Sequence, residues 1–173
     1  MSNPGDPAIR FYLAGGAGDR RIAAVHGYDR LTARLTELLG SQVPLLVGPP
    51  GEVPGAGVVL LHASHDLAGV LASLPETALE RIVPMRVPTG ELAPLLARFP
   101  LGGAVELHGC RHWSAGWPMP GGWSGVVGRR DLLDGPLHPL DLGGVPYAMI
   151  EASADLLPEV LAGYLRRLVA RAG

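Results

Sequence analysis

Gly57-Val58-Val59-Leu60-Leu61-His62-Ala63-Ser64-His65-Asp66 is the stretch on which the fold turns. A strand wetted on one face alternates apolar and polar residues, whereas a strand covered on both faces reads as an unbroken apolar run. Residues 57–61 have no polar side chain, so they predict a central, doubly covered strand. Helices on both sides of a sheet are needed to cover such a strand. The run is too short to span a bilayer. The polar segment His62–Asp66 follows the strand's end, and sites in open α/β sheets gather beyond the carboxyl ends of strands.

Working toward the N-terminus, Gly48-Pro49-Pro50-Gly51-Glu52-Val53-Pro54-Gly55 is a loop by its density of breakers. Val43–Val47 predicts a strand. Asp29 is placed to cap a helix running to Leu39, with Leu31, Leu35, Leu38 and Leu39 as its apolar stripe and Gly40 as its stop. Ile9–Ala14 predicts a first strand, and residues 1–8 a loose leader.

Working toward the C-terminus, residues 65–74 predict a short helix, with a further turn or two over 76–81. Residues 82–87 predict a strand in which Pro84 calls for an edge or a bulge. Thr89 is placed to cap a helix over 90–99, with Pro94 tolerable only near its first turn. Residues 104–108 predict the next strand, extendable to His112, followed by an irregular loop over 114–123 and strands over 124–127 and 145–150. Ser153 is placed to cap a last helix whose apolar face is Leu156, Leu157, Val160, Leu161, Tyr164, Leu165, Leu168 and Val169. Arg166, Arg167 and Arg171 suit its C-terminal end. The sum is a compact α+β or mixed α/β domain over 9–173, with a mixed sheet and about four helices.

Composition narrows the function classes. The chain has 173 residues, 47% of them hydrophobic and 17% charged, with a formal net charge of −2. That balance supports one substantial core and speaks against disorder. The basic pairs Arg20-Arg21, Arg129-Arg130 and Arg166-Arg167 are isolated, so no nucleic-acid surface is expected. Lysine is absent, which removes lysine Schiff-base chemistry from this chain. A single cysteine makes no internal disulfide, and the start of the chain reads as no secretory signal. The expectation is a cytoplasmic protein with no membrane association.

Chemistry concentrates in Glu106-Leu107-His108-Gly109-Cys110-Arg111-His112-Trp113. If this segment is extended, Glu106, His108, Cys110 and His112 share one face, while Leu107 and Arg111 take the other. The plain alternative is a polar strand face turned to solvent. Three functional readings stand beside it. In the first, His65, His108, Cys110 and His112 are candidate ligands for zinc or iron. Alternate strand positions lie about 7 Å apart, so no more than two of the face's residues would meet one ion readily, and His65 or His62 would have to join them. The spacing matches no zinc finger, ribbon or zincin helix.

In the second reading, Cys110 is a nucleophile activated by His112, His62 or His65, with Glu106 or Asp66 orienting the base. In the third, His62, His65 and His108 move protons without metal or covalent attachment. The catalytic candidates are therefore His62, His65, His108 and Cys110. For His62, a satisfied core histidine is an equal alternative, and Asp66 reads more simply as a helix cap.

All three tryptophans fall in 113–123. Trp113, Trp117 and Trp123, together with Arg111, are the candidate substrate-binding residues, since rigid aromatic faces on a loop suit a flat organic ligand. Anchoring of the loop to the core is the competing role. Gly15-Gly16-Ala17-Gly18 matches neither the dinucleotide fingerprint nor the phosphate loop and reads as a turn. The functional expectation is a small-molecule biosynthetic or metabolic enzyme with a His/Cys-lined pocket. The alternative is a noncatalytic small-ligand-binding or protein-interaction domain. The C-terminal helix is the candidate surface for a homodimer.

Overall fold

The computed structural model describes residues 7–15, 21, 23, 27–63, 66–108, 123–135, 138–139, 147–153 and 156–172. The elements in chain order are β1 (Ile9–Ala14), α1 (Tyr28–Leu39), β2 (Leu45–Gly48), a 3-10 turn (Pro50–Glu52), β3 (Val58–Ala63), α2 (Leu67–Ser73), α3 (Glu76–Leu79), β4 (Ile82–Pro84), β5 (Val87–Pro88), α4 (Thr89–Arg98), β6 (Gly103–His108), β7 (Trp123–Arg129), β8 (His138–Pro139), β9 (Tyr147–Ser153) and α5 (Leu157–Ala172). The α+β class with a mixed sheet is as expected. Among the described residues the helices number five, because the turn after Pro75 is a separate element.

One group of strands is parallel, in the order β2-β1-β3-β4. The other has the order β5-β6-β7-β9-β8, with β5 parallel to β6 and the rest antiparallel. The short stretch 82–88 belongs to both: β4 pairs with β3, and β5 pairs with β6. The N–H of Gly102 donates to the carbonyl of Ile82 at 3.0 Å, which ties the start of β6 to β4.

The apolar run behaves as its composition demands. Val58, Val59, Leu60 and Leu61 are all fully buried. Val58 and Leu60 pack in the cluster that holds Tyr28, Leu31 and Leu35 of α1 and Leu157, Leu161 and Leu165 of α5. Val59 and Leu61 pack in the other, with Val70 and Leu71 of α2, Leu79 of α3 and Leu92, Leu95 and Leu96 of α4. The strand's two faces thus feed two cores, as do those of its neighbour β1, with Phe11 and Leu13 in one and Tyr12 and Ala14 in the other.

Several local expectations give way. The residue before α1 is Gly27, in the left-handed region at φ 68 with no side-chain cap, so Asp29 sits inside the first turn and complements the dipole from there. Thr89 is the first residue of α4 and Pro88 precedes it. Pro94 lies well inside α4; it is exposed, and the N–H it lacks would have met Gly90, which has no side chain to crowd the ring. Trp123 opens β7 rather than closing a loop, and a short strand, β8, forms at His138–Pro139. Ser153 ends β9 and does not cap the last helix. Leu156 is 54% exposed and lies outside the α5 stripe, which begins at Leu157.

Tyr164 fastens α5 to the sheet. Its hydroxyl donates to the Gly102 carbonyl and accepts the Arg129 N–H at 3.1 Å. Gly103 and Gly128 face each other across β6 and β7, and a side chain on either would overlap the Tyr164 ring.

Two outcomes follow from this packing. Leu60→Ala should cost about 2–5 kcal/mol in urea unfolding, whereas Leu156→Ala should cost less than about 0.5 kcal/mol. Burial pushes the Tyr164 hydroxyl from 10.0 up to about 12. The unfolded chain then ionises first as pH rises. The Tyr164 contribution is complete below pH 10 and is lost between about pH 10 and 12, at up to about 1.4 kcal/mol per pH unit. Unfolding midpoints measured across that range should fall, and Tyr164→Phe should flatten the fall.

Candidate functional site

The carboxyl ends of β1, β3 and β4 lie on one edge of the parallel half, and a polar cluster is built there from three elements. His62 is the penultimate residue of β3, in register with Leu13 of β1, and is buried. Tyr28 is the first residue of α1 and is fully buried. Its hydroxyl oxygen lies 2.7 Å from His62 Nδ1. The Tyr28 ring packs on Phe11, with centroids 4.3 Å apart, and at 5.3 Å from the His62 ring.

Arg86 completes the group. Its side chain hydrogen-bonds Tyr28. Its backbone sits in the left-handed region at φ 59, alone among the described non-glycine residues. An L-residue in that region costs about 1–2 kcal/mol, and such residues cluster at functional sites. A guanidinium only donates. The Tyr28 oxygen therefore accepts from Arg86, and its own proton is directed to His62 Nδ1. That bonding assigns the ring proton of His62 to Nε2. Burial pushes the Tyr28 phenol well above its ordinary range, and the Arg86 charge and hydrogen bond only partly oppose this. Tyr28 is thus a neutral bridge between a cation and an imidazole.

Asp66 is the cap of α2: its Oδ1 accepts the Gly69 N–H at 3.0 Å. It is exposed and serves the helix, as its simpler reading held. His108 ends β6 in register with Trp123, so the backbones of these two candidates are paired neighbours. Glu106 is in register with Val87 of β5. The side chains of Glu106, His108 and Trp123 lie outside the described residues, as do His65, Cys110, Arg111, His112, Trp113 and Trp117 altogether. Among the described residues no group of three or more His, Cys, Asp or Glu side chains is arranged to hold a metal ion.

Of the candidate residues, His62 is the one the described structure seats in a polar network. Its partners were not singled out from the sequence. Tyr28 reads as a core aromatic at a helix start, and Arg86 as one more surface arginine. The available signal for Arg86 is its place between Pro84 and Pro88, in a segment whose neighbours are apolar.

No family model matches this chain, and no match is found among curated proteins or solved structures. Its reading therefore rests on its own geometry.

Tyr28→Phe keeps the ring on Phe11 but strips His62 and Arg86 of a buried partner. It should cost about 1–3 kcal/mol in urea unfolding. A double-mutant cycle with His62→Ala should show a coupling of at least about 0.5 kcal/mol.

Proposed function

We propose that this chain is an enzyme of acyl transfer or hydrolysis on a small organic carbonyl compound, with Cys110 as nucleophile and His65 as its base. The observation that carries the reading is topological. β3 and β6 run parallel to each other and flank the segment 82–88, so both end on the same edge. Two strand spacings separate them, about 10 Å. His65 comes two residues after the end of β3, and Cys110 two residues after the end of β6. In the proposed site the His65 and Cys110 side chains meet across the intervening segment.

Charge favours a thiolate over a metal ion. Arg86 stands on the intervening segment, bonded to the buried Tyr28 at the same edge. A half-buried guanidinium repels a divalent cation and stabilises an anion, and a reactive thiolate needs an electropositive setting. In the proposed reaction the His65 imidazole takes the Cys110 proton and the sulfur bonds to the carbonyl carbon. The leaving group departs with that proton, and water hydrolyses the thioester. His108 and the tryptophans Trp113, Trp117 and Trp123 would wall the substrate.

Zinc or iron on His65, His108, Cys110 and His112 is the second reading, supported by the donor set alone. The proposed setting is cytoplasmic, supported by the single cysteine. No described helix is long and apolar enough to cross a membrane. A homodimer through α5 is testable by light scattering, although the stripe that suggested it packs inside the chain, on α1 and the sheet.

Alkylation by iodoacetamide tests the thiol chemistry. At pH 6 a free thiol of pKa about 8.5 is almost wholly protonated. Cys110 should react at least about tenfold faster than such a thiol, and Arg86→Gln or His65→Ala should remove most of the excess. A Cys110 that reacts at the free-thiol rate in the folded protein would sink the reading. Stoichiometric zinc or iron in the purified protein would move it to the metal site.

A further inference from the structure

A second site lies on the opposite edge of the sheet, away from the strand ends just described. Arg81 immediately precedes β4, Arg129 ends β7 beside the start of β6, and Arg171 is in the last turn of α5. The three guanidinium side chains, with Thr77, Glu80 and Leu168, line a cavity of about 260 Å³. A neighbouring cavity of about 360 Å³ shares Thr77 and Arg81 with it. That second space is walled by Val53, Pro54, Leu74, Pro75 and Ile82. Thr77 and Arg81 border both spaces, so the two lie side by side, one lined mainly by basic residues and the other mainly by apolar ones.

The charge balance of the basic cavity is incomplete. Arg171 pairs with Asp131 at 2.8 Å, and both are well exposed. Glu80 stands 4.0 Å from Arg129, and its side chain is 68% exposed while that of Arg129 is 19% exposed. Among the described residues the Arg81 side chain bonds the Gly55 carbonyl, at 3.3 Å. Two described carboxylates thus stand beside three cations, and the largely exposed Glu80 is the less buried partner of Arg129. A planar, permanently charged guanidinium is suited to bidentate binding of phosphate oxygens.

We infer that these adjoining cavities bind a small organic phosphate monoester, its phosphate among Arg81, Arg129 and Arg171 and its apolar body against Val53, Leu74 and Ile82. The dimensions fit: a ligand pocket typically offers roughly 300–1,000 Å³, mostly apolar, with a few convergent polar groups. The distance from the carboxyl edge makes it an effector or carrier site, independent of the Cys110 chemistry.

Calorimetric titration of the full chain with phenyl phosphate, inorganic phosphate and benzyl alcohol tests this. Phenyl phosphate should bind saturably, inorganic phosphate at least about fivefold more weakly, and benzyl alcohol not measurably, because both cavities contribute. Arg81→Gln should weaken phenyl phosphate about tenfold, the loss of one charge-assisted pair. Glu80→Gln should tighten it about threefold, since it removes the competing carboxylate. Cys110→Ala should leave binding unchanged, so failure here is distinct from failure of the proposed reaction. Equal affinity for inorganic and phenyl phosphate, or no response to either Arg81→Gln or Glu80→Gln in variants that remain folded, would overturn the inference.

Discussion

The strand that changes partners between Ile82 and Pro88 is the constraint on which the rest of the molecule depends. Ile82, Val83 and Pro84 pair with β3, and Val87 and Pro88 pair with β6. A proline inside a sheet removes a ladder hydrogen bond, so prolines in central strands are normally excluded. Here the segment leaves one ladder before it joins the next. The Met85 N–H still reaches the Leu61 carbonyl at 2.8 Å, which carries the β3 ladder one residue past Pro84. Arg86 then takes the left-handed conformation. The turn that lets the strand switch sheets is also what sets a guanidinium against Tyr28. Fold and candidate site therefore share one strained residue, and relieving the strain there would disturb both.

Legibility followed burial. The 57–61 run announced a doubly covered strand, and its alternating side chains do feed two separate cores. The stripe of α5 was equally readable, because Leu157, Leu161, Leu165 and Leu168 recur at helical spacing on one buried face. What the sequence could not supply was set by tertiary pairing. Nothing local says that Tyr28 and His62, far apart in the chain, share a hydrogen bond. For Arg86 the local signal stops at its place between Pro84 and Pro88; the role itself comes from the backbone turn. Caps were misread as well. Asp29 and Thr89 have the right chemistry for capping, yet Gly27 and Pro88 hold the positions, and both candidates fall one or two residues inside the helix.

Two edges of one sheet thus carry opposite kinds of polar construction. At the carboxyl edge, a guanidinium, a phenol and an imidazole are bonded in series, so each group's orientation is tied to its neighbour's. At the amino edge, guanidiniums and carboxylates stand largely in solvent, where ion pairs such as Arg171–Asp131 contribute little to stability. The first arrangement suits chemistry, where fixed geometry and low dielectric matter. The second suits reversible capture of an anion, where weak internal pairs are readily exchanged for ligand pairs.

β6 sharpens the case for the carboxyl edge. It is parallel to β5 on one side and antiparallel to β7 on the other. Its carboxyl end therefore belongs to the parallel edge even though the next strand returns beside it. Antiparallel neighbours need only a tight hairpin of two to five residues, and links beyond about twelve are uncommon, being either functional or linker segments. The chain instead places residues 109–122 between His108 and Trp123, two residues that are themselves in register. A direct turn would have closed this pair with far fewer residues. The extra length begins beside the end of β6 and contains Cys110, Arg111, His112, Trp113 and Trp117. Strand pairing requires far fewer residues, and the proposed chemistry would give the rest a use.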